Sequence, residues 1–140
     1  MSIKHKIILN YIKDLSVETP DPESLIVARE RISKYGLNLD ITSKPLKNKM
    51  IEVFTKLIYA DKEKSKKKTY FEMLHSTVVQ IEDENPEKEE MKKFILCDLQ
   101  IEIYPKIQET FVQVLKLSGF PQINISGKVD FVKLYKERSN

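Results

Sequence analysis

Apolar and polar positions alternate with a period of two from Lys6 to Glu18. Ile7, Leu9, Tyr11, Leu15 and Val17 fall on one side and Lys6, Asn10, Asp14, Ser16 and Glu18 mostly on the other, interrupted by Lys13. Successive side chains of a strand point to opposite faces, so the pattern predicts a long, half-exposed first strand. Thr19-Pro20-Asp21-Pro22 ends it, and Glu23 to Tyr35 leaves room for a short helical turn before Gly36. Alternation returns at Leu37, Leu39 and Ile41, and again after Pro45 at Ile51, Val53, Thr55, Leu57 and Tyr59. This predicts one interrupted strand or two short ones. Proline cannot donate to a ladder, so Pro45 puts this part at an edge, a bulge or a crossing point. The charged stretch Asp61 to Lys68 reads as a hairpin loop. From Thr69 to Ile81 a further strand carries Tyr70, Glu72, Leu74, Ser76 and Val78 on one side and Phe71, Met73, His75, Thr77 and Val79 on the other. Apolar groups on both sides predict cover on both, from a helix, another subunit or a ligand.

The period then changes. Glu82 to Lys93 is a charged connection that grades into a helical start near Glu87, while periodicity leaves helix and strand open for Phe94 to Ile103. Ile107, Phe111, Val114, Leu115 and Ser118 follow helical spacing, which predicts an amphipathic helix from Pro105 to Ser118. Pro105 suits a first helical turn, and Gly119 suits a left-handed C-terminal residue ahead of Phe120-Pro121. An isolated helix of this length is marginal in water, so a sheet beneath it is implied. Ile123 and Ile125 flank Asn124 in an extended passage. Lys128 to Arg138 reads as a terminal helix with Asp130 as N-cap and Phe131, Leu134 and Tyr135 on one face.

A chain of 140 residues suits one domain, residues 1–140. Its 24 Lys+Arg against 21 Asp+Glu leave net +3, too small an excess to argue for nucleic acid alone. The single cysteine, Cys97, lies in the apolar run Phe94-Ile95-Leu96-Cys97 and reads as a buried hydrophobe in a reducing compartment. No signal-peptide pattern is present and no apolar run approaches the ~20 residues of a membrane span, so a cytoplasmic protein is expected. Gly36, Gly119 and Gly127 are too sparse for a phosphate-cradling loop. His5 and His75 have no carboxylate or cysteine at metal-ligand spacing. No nucleophile and base pair up, so neither catalysis nor a cofactor is expected. The lysines Lys62, Lys64, Lys66, Lys67 and Lys68, diluted by Asp61 and Glu63 and free of aromatics, read as a solvated loop. What remains is a surface suited to binding.

Three blocks in order resemble the SecB export chaperones. Gly119-Phe120-Pro121-Gln122-Ile123-Asn124-Ile125 is similar to the family's Gly-x-Phe-Pro-x-Leu-x-Leu stretch and is followed by Val129-Asp130-Phe131. Tyr11-Ile12-Lys13-Asp14-Leu15-Ser16-Val17-Glu18-Thr19-Pro20 is similar to the first-strand signature, and Leu37-Asn38-Leu39-Asp40 to the next block. The resemblance implies an α+β fold, a four-stranded antiparallel sheet with a long helix and a C-terminal helix on one side, assembled as a homotetramer from two dimers. It implies an ATP-independent holdase that binds unfolded precursor proteins and passes them to the SecA translocation motor, touching the membrane only through the translocase.

By motif position, the acidic SecA-docking surface falls on Asp14, Glu18, Tyr70 and Glu72; the alternation independently puts Asp14 with Glu18, and Tyr70 with Glu72, on common strand faces. The client groove carries over to Leu37, Leu39 and Ile41, with Tyr35 and Phe120 beside them. Two features depart from the family. Tyr104-Pro105-Lys106-Ile107-Gln108-Glu109 keeps only Tyr-Pro and Glu of the usual start of the main helix, and the net charge is positive where members are typically acidic. A chaperone dedicated to one client, such as an antitoxin, and a small nucleic-acid-binding α+β module are the alternative readings.

Overall fold

A computed structural model describes residues 3–63, 69–125 and 128–139, so Lys64, Lys66, Lys67 and Lys68 of the lysine run lie outside the described residues. Four strands, β1 (His5–Glu18), β2 (Tyr35–Pro45), β3 (Met50–Asp61) and β4 (Tyr70–Ile81), form one antiparallel sheet in the order β1-β4-β3-β2. The helices are α1 (Pro22–Glu30), α2 (Lys88–Lys93), α3 (Leu99–Leu117) and α4 (Phe131–Ser139).

The two alternating segments around Pro45 are two full strands rather than short ones, joined by a tight hairpin. Asn48 and Lys49 both have positive φ, 62° and 61°, and the Met50 N–H donates to the Lys47 carbonyl. That is the primed turn whose twist matches the flanking strands. Pro45 ends β2 on the sheet edge, where its missing donor breaks no inner ladder.

The first strand departs from strict alternation. Register shifts between Ile7 and Leu9 and between Ile12 and Asp14 mark two bulges. Each extra residue turns the following side chains to the other face. Directly opposed residues of an antiparallel pair share a face. Ile7, Asn10, Ile12, Leu15 and Val17 therefore sit with Val79, Thr77, His75, Met73 and Phe71, whereas Leu9, Tyr11, Asp14, Ser16 and Glu18 sit with Val78, Ser76, Leu74, Glu72 and Tyr70. The single apolar face expected for this strand is divided between both sides of the sheet.

On β3 and β4 the sequence pattern holds. Val53, Leu57, Phe71, Met73 and Val79 are fully buried under the helices, and Phe54, Ile58, Leu74 and Val78 on the other face are half-buried. One face is covered by α3 and its neighbours; the other is open. Ile107, Phe111 and Leu115 bring the expected helical stripe onto the core.

The main helix begins well before Pro105. Glu87 and Glu90 form a capping box ahead of α2, Phe94–Asp98 forms one wide turn in which the Leu99 N–H reaches the Phe94 carbonyl, and α3 continues from there. Pro105 thus lies inside a helix, not at its start. The wide turn carries Phe94 and Cys97 inward together. Behind it, fully buried Gln100 exchanges hydrogen bonds with Thr55 on β3, at 3.1 and 3.3 Å, locking helix to sheet with both side chains satisfied. Asp130 caps α4 as expected, its Oδ1 accepting the Lys133 N–H at 3.0 Å.

Candidate binding surfaces

Helix α3 ends where Gly119 takes φ 111°, with the Phe120 N–H donating back to the Leu115 carbonyl at 3.2 Å. The chain then turns so that Phe120 packs edge-on against Phe71, their rings 5.5 Å apart. Asp21 caps α1, accepting from the Ser24 N–H and hydroxyl, and Arg29 Nε of that helix donates to the Gly119 carbonyl at 2.8 Å. Between these elements lies an open trough of about 260 Å³ lined by Arg29, Ile32, Phe120, Pro121, Gln122 and Ile123.

The five residues expected to form the groove fall into three situations. Phe120 lines the trough, though its ring is largely buried. Ile41, also buried, lines a second depression of about 380 Å³ near the far end of β2, and half-buried Leu37 and Leu39 share its face of that strand but line neither depression. Tyr35 lines neither depression. Its hydroxyl donates to the Thr69 carbonyl at 2.6 Å and its ring sits 5.3 Å from Tyr59, a core position.

Asp14, Glu18, Tyr70 and Glu72 come together on the open sheet face, Glu18 opposite Tyr70 and Ser16 opposite Glu72. Asp14 and Glu18 are exposed, while Glu72 is half-buried with Lys56 Nζ 3.5 Å from its carboxylate. Beside them stands a residue that sequence reading missed. Glu52 is buried, and its Oε2 accepts from the Ser76 hydroxyl at 2.6 Å, the Tyr11 hydroxyl at 2.9 Å and Lys13 Nζ at 3.4 Å. Lys13 also lies 4.7 Å above the Phe54 ring. The first β1 bulge brings Tyr11 to this face, and no pattern of residue types announces that.

The Ser76 hydrogen bond, more than Tyr11 and Lys13, holds the Glu52 carboxyl below its ordinary range against the opposing effect of burial. His75, on the covered face, is held below its ordinary 6.5 by burial. In both cases the unfolded chain binds the proton more readily, so stability is complete at neutral pH and is lost on acidification. The loss starts as pH falls below the ordinary histidine value and deepens through the carboxylate range toward the folded Glu52 value. Glu52→Ala is expected to cost about 1–3 kcal/mol at pH 7, because the buried Ser76 hydroxyl loses its acceptor. That deficit should shrink at low pH, where the wild-type carboxylate also becomes protonated. Urea midpoints across the acid range check both; a flat wild-type profile, or a deficit independent of pH, contradicts the assignment.

Among the described residues no group of three or more His, Cys, Asp or Glu side chains could hold a metal ion, and no helix is long and apolar enough to cross a membrane. The Cys97 thiol is buried, and burial pushes its pKa up, away from a reactive thiolate.

The chain is similar in sequence and fold to known proteins. The chain is 45% identical to a putative protein-export protein SecB of Pelagibacter ubique, over the whole of both chains. With the protein-export protein SecB of Bartonella bacilliformis it shares 22% identity over 94% of this chain and 81% of that one. A similar fold occurs in a SecB-like chaperone of Mycobacterium tuberculosis in complex with a ChAD peptide from an antitoxin. The TM-score is 0.65 and the identity 10%, over 89% of this chain and 90% of the other. The family described as preprotein translocase subunit SecB matches residues 2–140, and the chain belongs to it.

Proposed function

We propose that this chain is an ATP-independent holdase of the cytoplasm that keeps precursor proteins unfolded and delivers them to SecA, working as a homotetramer of two dimers and catalysing no reaction. The observation that carries the reading is the pair of depressions at the Phe120 turn and beside Ile41 of the edge strand β2, with half-buried Leu37 and Leu39 on the same strand, in a chain of the SecB family. An extended client gains roughly 25 cal/mol for each Å² of apolar surface it covers there, so affinity accumulates from many weak contacts along the chain. Phe120, Leu37, Leu39 and Ile41 supply those contacts, with Tyr35 buttressing them from the core.

SecA docking uses the open face, with Asp14 and Glu18 as exposed charges, Tyr70 as their aromatic neighbour, and Glu72 shared with Lys56. Charge reversal there should slow encounter and weaken the complex. Asp14→Lys and Glu72→Lys are each expected to lower SecA affinity by about tenfold, with suppression of aggregation of a reduced, unfolded protein unchanged. Glu72→Lys should have the larger effect, because it also sets a second ammonium beside Lys56. SecA affinity equal to wild type in both variants removes the docking assignment. Wild-type protein that leaves several aggregating clients unprotected removes the general holdase, and tight capture of one partner alone would favour the dedicated chaperone.

A further inference from the structure

The second depression has a chemical character that the holdase reading leaves open. Ile41 of β2, Pro86, and Met91 and Ile95 from the helical segment give it an apolar lining. Lys88 and Lys92 stand on its rim; with Met91 and Ile95 they are spaced to lie along one side of the helix. Next to it, sharing Pro86 and Met91, a shallower depression of about 270 Å³ runs past Met50, Ile51 and Ile81, with Lys49 on its rim. Among the described residues no carboxylate lines either depression. Among the described residues Lys49, Lys88 and Lys92 have no ion-pair partner. The nearby acids of α2 are engaged elsewhere: Glu89 accepts the Tyr135 hydroxyl at 3.0 Å and Glu90 accepts the Glu87 N–H at 3.3 Å. Glu82, Glu84 and Glu87 are exposed on the approach to the helix but line neither depression. Arg29 gives the Phe120 trough the same sign.

We infer that this double depression selects extended segments of unfolded polypeptide in which Asp or Glu alternates with apolar residues. The inference rests on the holdase reading and adds to it the class of client sequence preferred. An extended segment shows its side chains with a period of two, so one set can enter the apolar floor while the intervening set meets the rim. Apolar contact supplies grip and the unpaired ammonium groups supply discrimination, since a carboxylate beside them is attracted and a second cation repelled. β2 is paired with β3 on one side and lies at the sheet edge on the other, where Arg138 reaches the Leu39 carbonyl at 3.4 Å, so the segment runs past Ile41 at the end of that edge.

Three labelled peptides sharing the same apolar residues, with Glu, Gln or Lys between them, separate the possibilities by fluorescence anisotropy on the intact protein. At low salt the Glu peptide should bind about three- to tenfold tighter than the Gln peptide, and the Lys peptide weaker by a similar factor. The differences should collapse near 1 M salt, where the screening length falls to about 3 Å. Lys88→Glu with Lys92→Glu should invert the order of the Glu and Lys peptides, and Lys88→Gln with Lys92→Gln should narrow the difference between them. If the Gln peptide binds and the charged peptides match it, the selectivity is wrong and the holdase stands. If none binds, the holdase reading falls with it.

Discussion

Gly119→Ala is expected to destabilise the protein by about 2–4 kcal/mol, the largest effect of removing no atom from the structure. Two causes add. At φ 111° an L side chain is strained wherever it is placed, a cost of about 1–3 kcal/mol. The new Cβ would also stand 2.8 Å from Leu25 Cδ1, so that the end of this half-buried side chain must shift, and 3.0 Å from Cδ2, a tight contact that adds less than the backbone strain. A cycle with Leu25→Ala separates them. Alone, Leu25→Ala removes half-buried packing and should destabilise; combined with Gly119→Ala it should relieve the overlap and leave the backbone strain. The consequence reaches the binding surface, because Gly119 sets the path into Phe120 and Pro121 and its carbonyl holds Arg29. Aggregation suppression should therefore fall even at temperatures where the variant remains folded. A urea midpoint within about 0.5 kcal/mol of wild type would mean that the turn relaxes freely and that the glycine does not fix the trough.

The parts of this fold that could be read in advance are those where one residue type carries one physical reason. Gly119 and Asp130 are of that kind, as is the alternation of β4 between a covered and an open face. Asp21-Pro22 belonged with them: an aspartate N-cap ahead of a first-turn proline starts α1, yet beside Pro20 it reads equally well as a turn. Other features follow from tertiary packing and leave no local mark. Neither β1 bulge contains glycine or proline, so strict alternation was the natural reading and it misassigned Ile7, Ile12 and Leu9 relative to one another. Pro105 is accommodated inside α3, whose continuation back through the wide turn is fixed by Phe94, Cys97 and Gln100 packing on the sheet. Asp14, Glu18, Tyr70 and Glu72 could be grouped because alternation holds locally within each stretch, beyond the second bulge in β1 and along β4. Glu52 could not, since its burial depends on Tyr11 and Lys13 arriving from a strand it does not adjoin in the sheet. Tyr35 shows the opposite limit: motif position puts it at a groove, while its hydrogen bond to Thr69 and its contact with Tyr59 put it in the core.

Placing two lysines on β1, Ile12→Lys with Leu15→Lys, is expected to break the proposed tetramer while leaving each subunit folded. β1 is an edge strand of 14 residues, roughly 45 Å long, with no strand on its outer side among the described residues. Apolar side chains are left open along both its faces: Leu9 is 47% exposed and Tyr11 42% on one, Ile12 41%, Leu15 42% and Val17 37% on the other. Such an edge invites further pairing. A second β1 laid antiparallel against it would extend the sheet and cover both sets at once. Ile12 also helps line an opening of about 340 Å³ between β1 and α3, together with Ile7, Ile103 and Ile107, which the second copy would close. Two-fold pairing counts every substitution twice. Ile12 and Leu15 are 41% and 42% exposed, so the seam buries about two fifths of each and gains roughly 1 kcal/mol per side chain; four such losses across the two-fold should raise the dissociation constant by about a hundredfold or more. Lysines brought together across the seam add repulsion that salt would partly relieve. Because both positions are exposed within one subunit, subunit stability should change little. Light scattering then reads the outcome: a species of half the wild-type mass or less, with unchanged circular dichroism, is the expected result. A variant that keeps the wild-type mass would place the seam elsewhere, and a wild-type protein that is monomeric at working concentration would leave the apolar edge of β1 without the partner assigned to it.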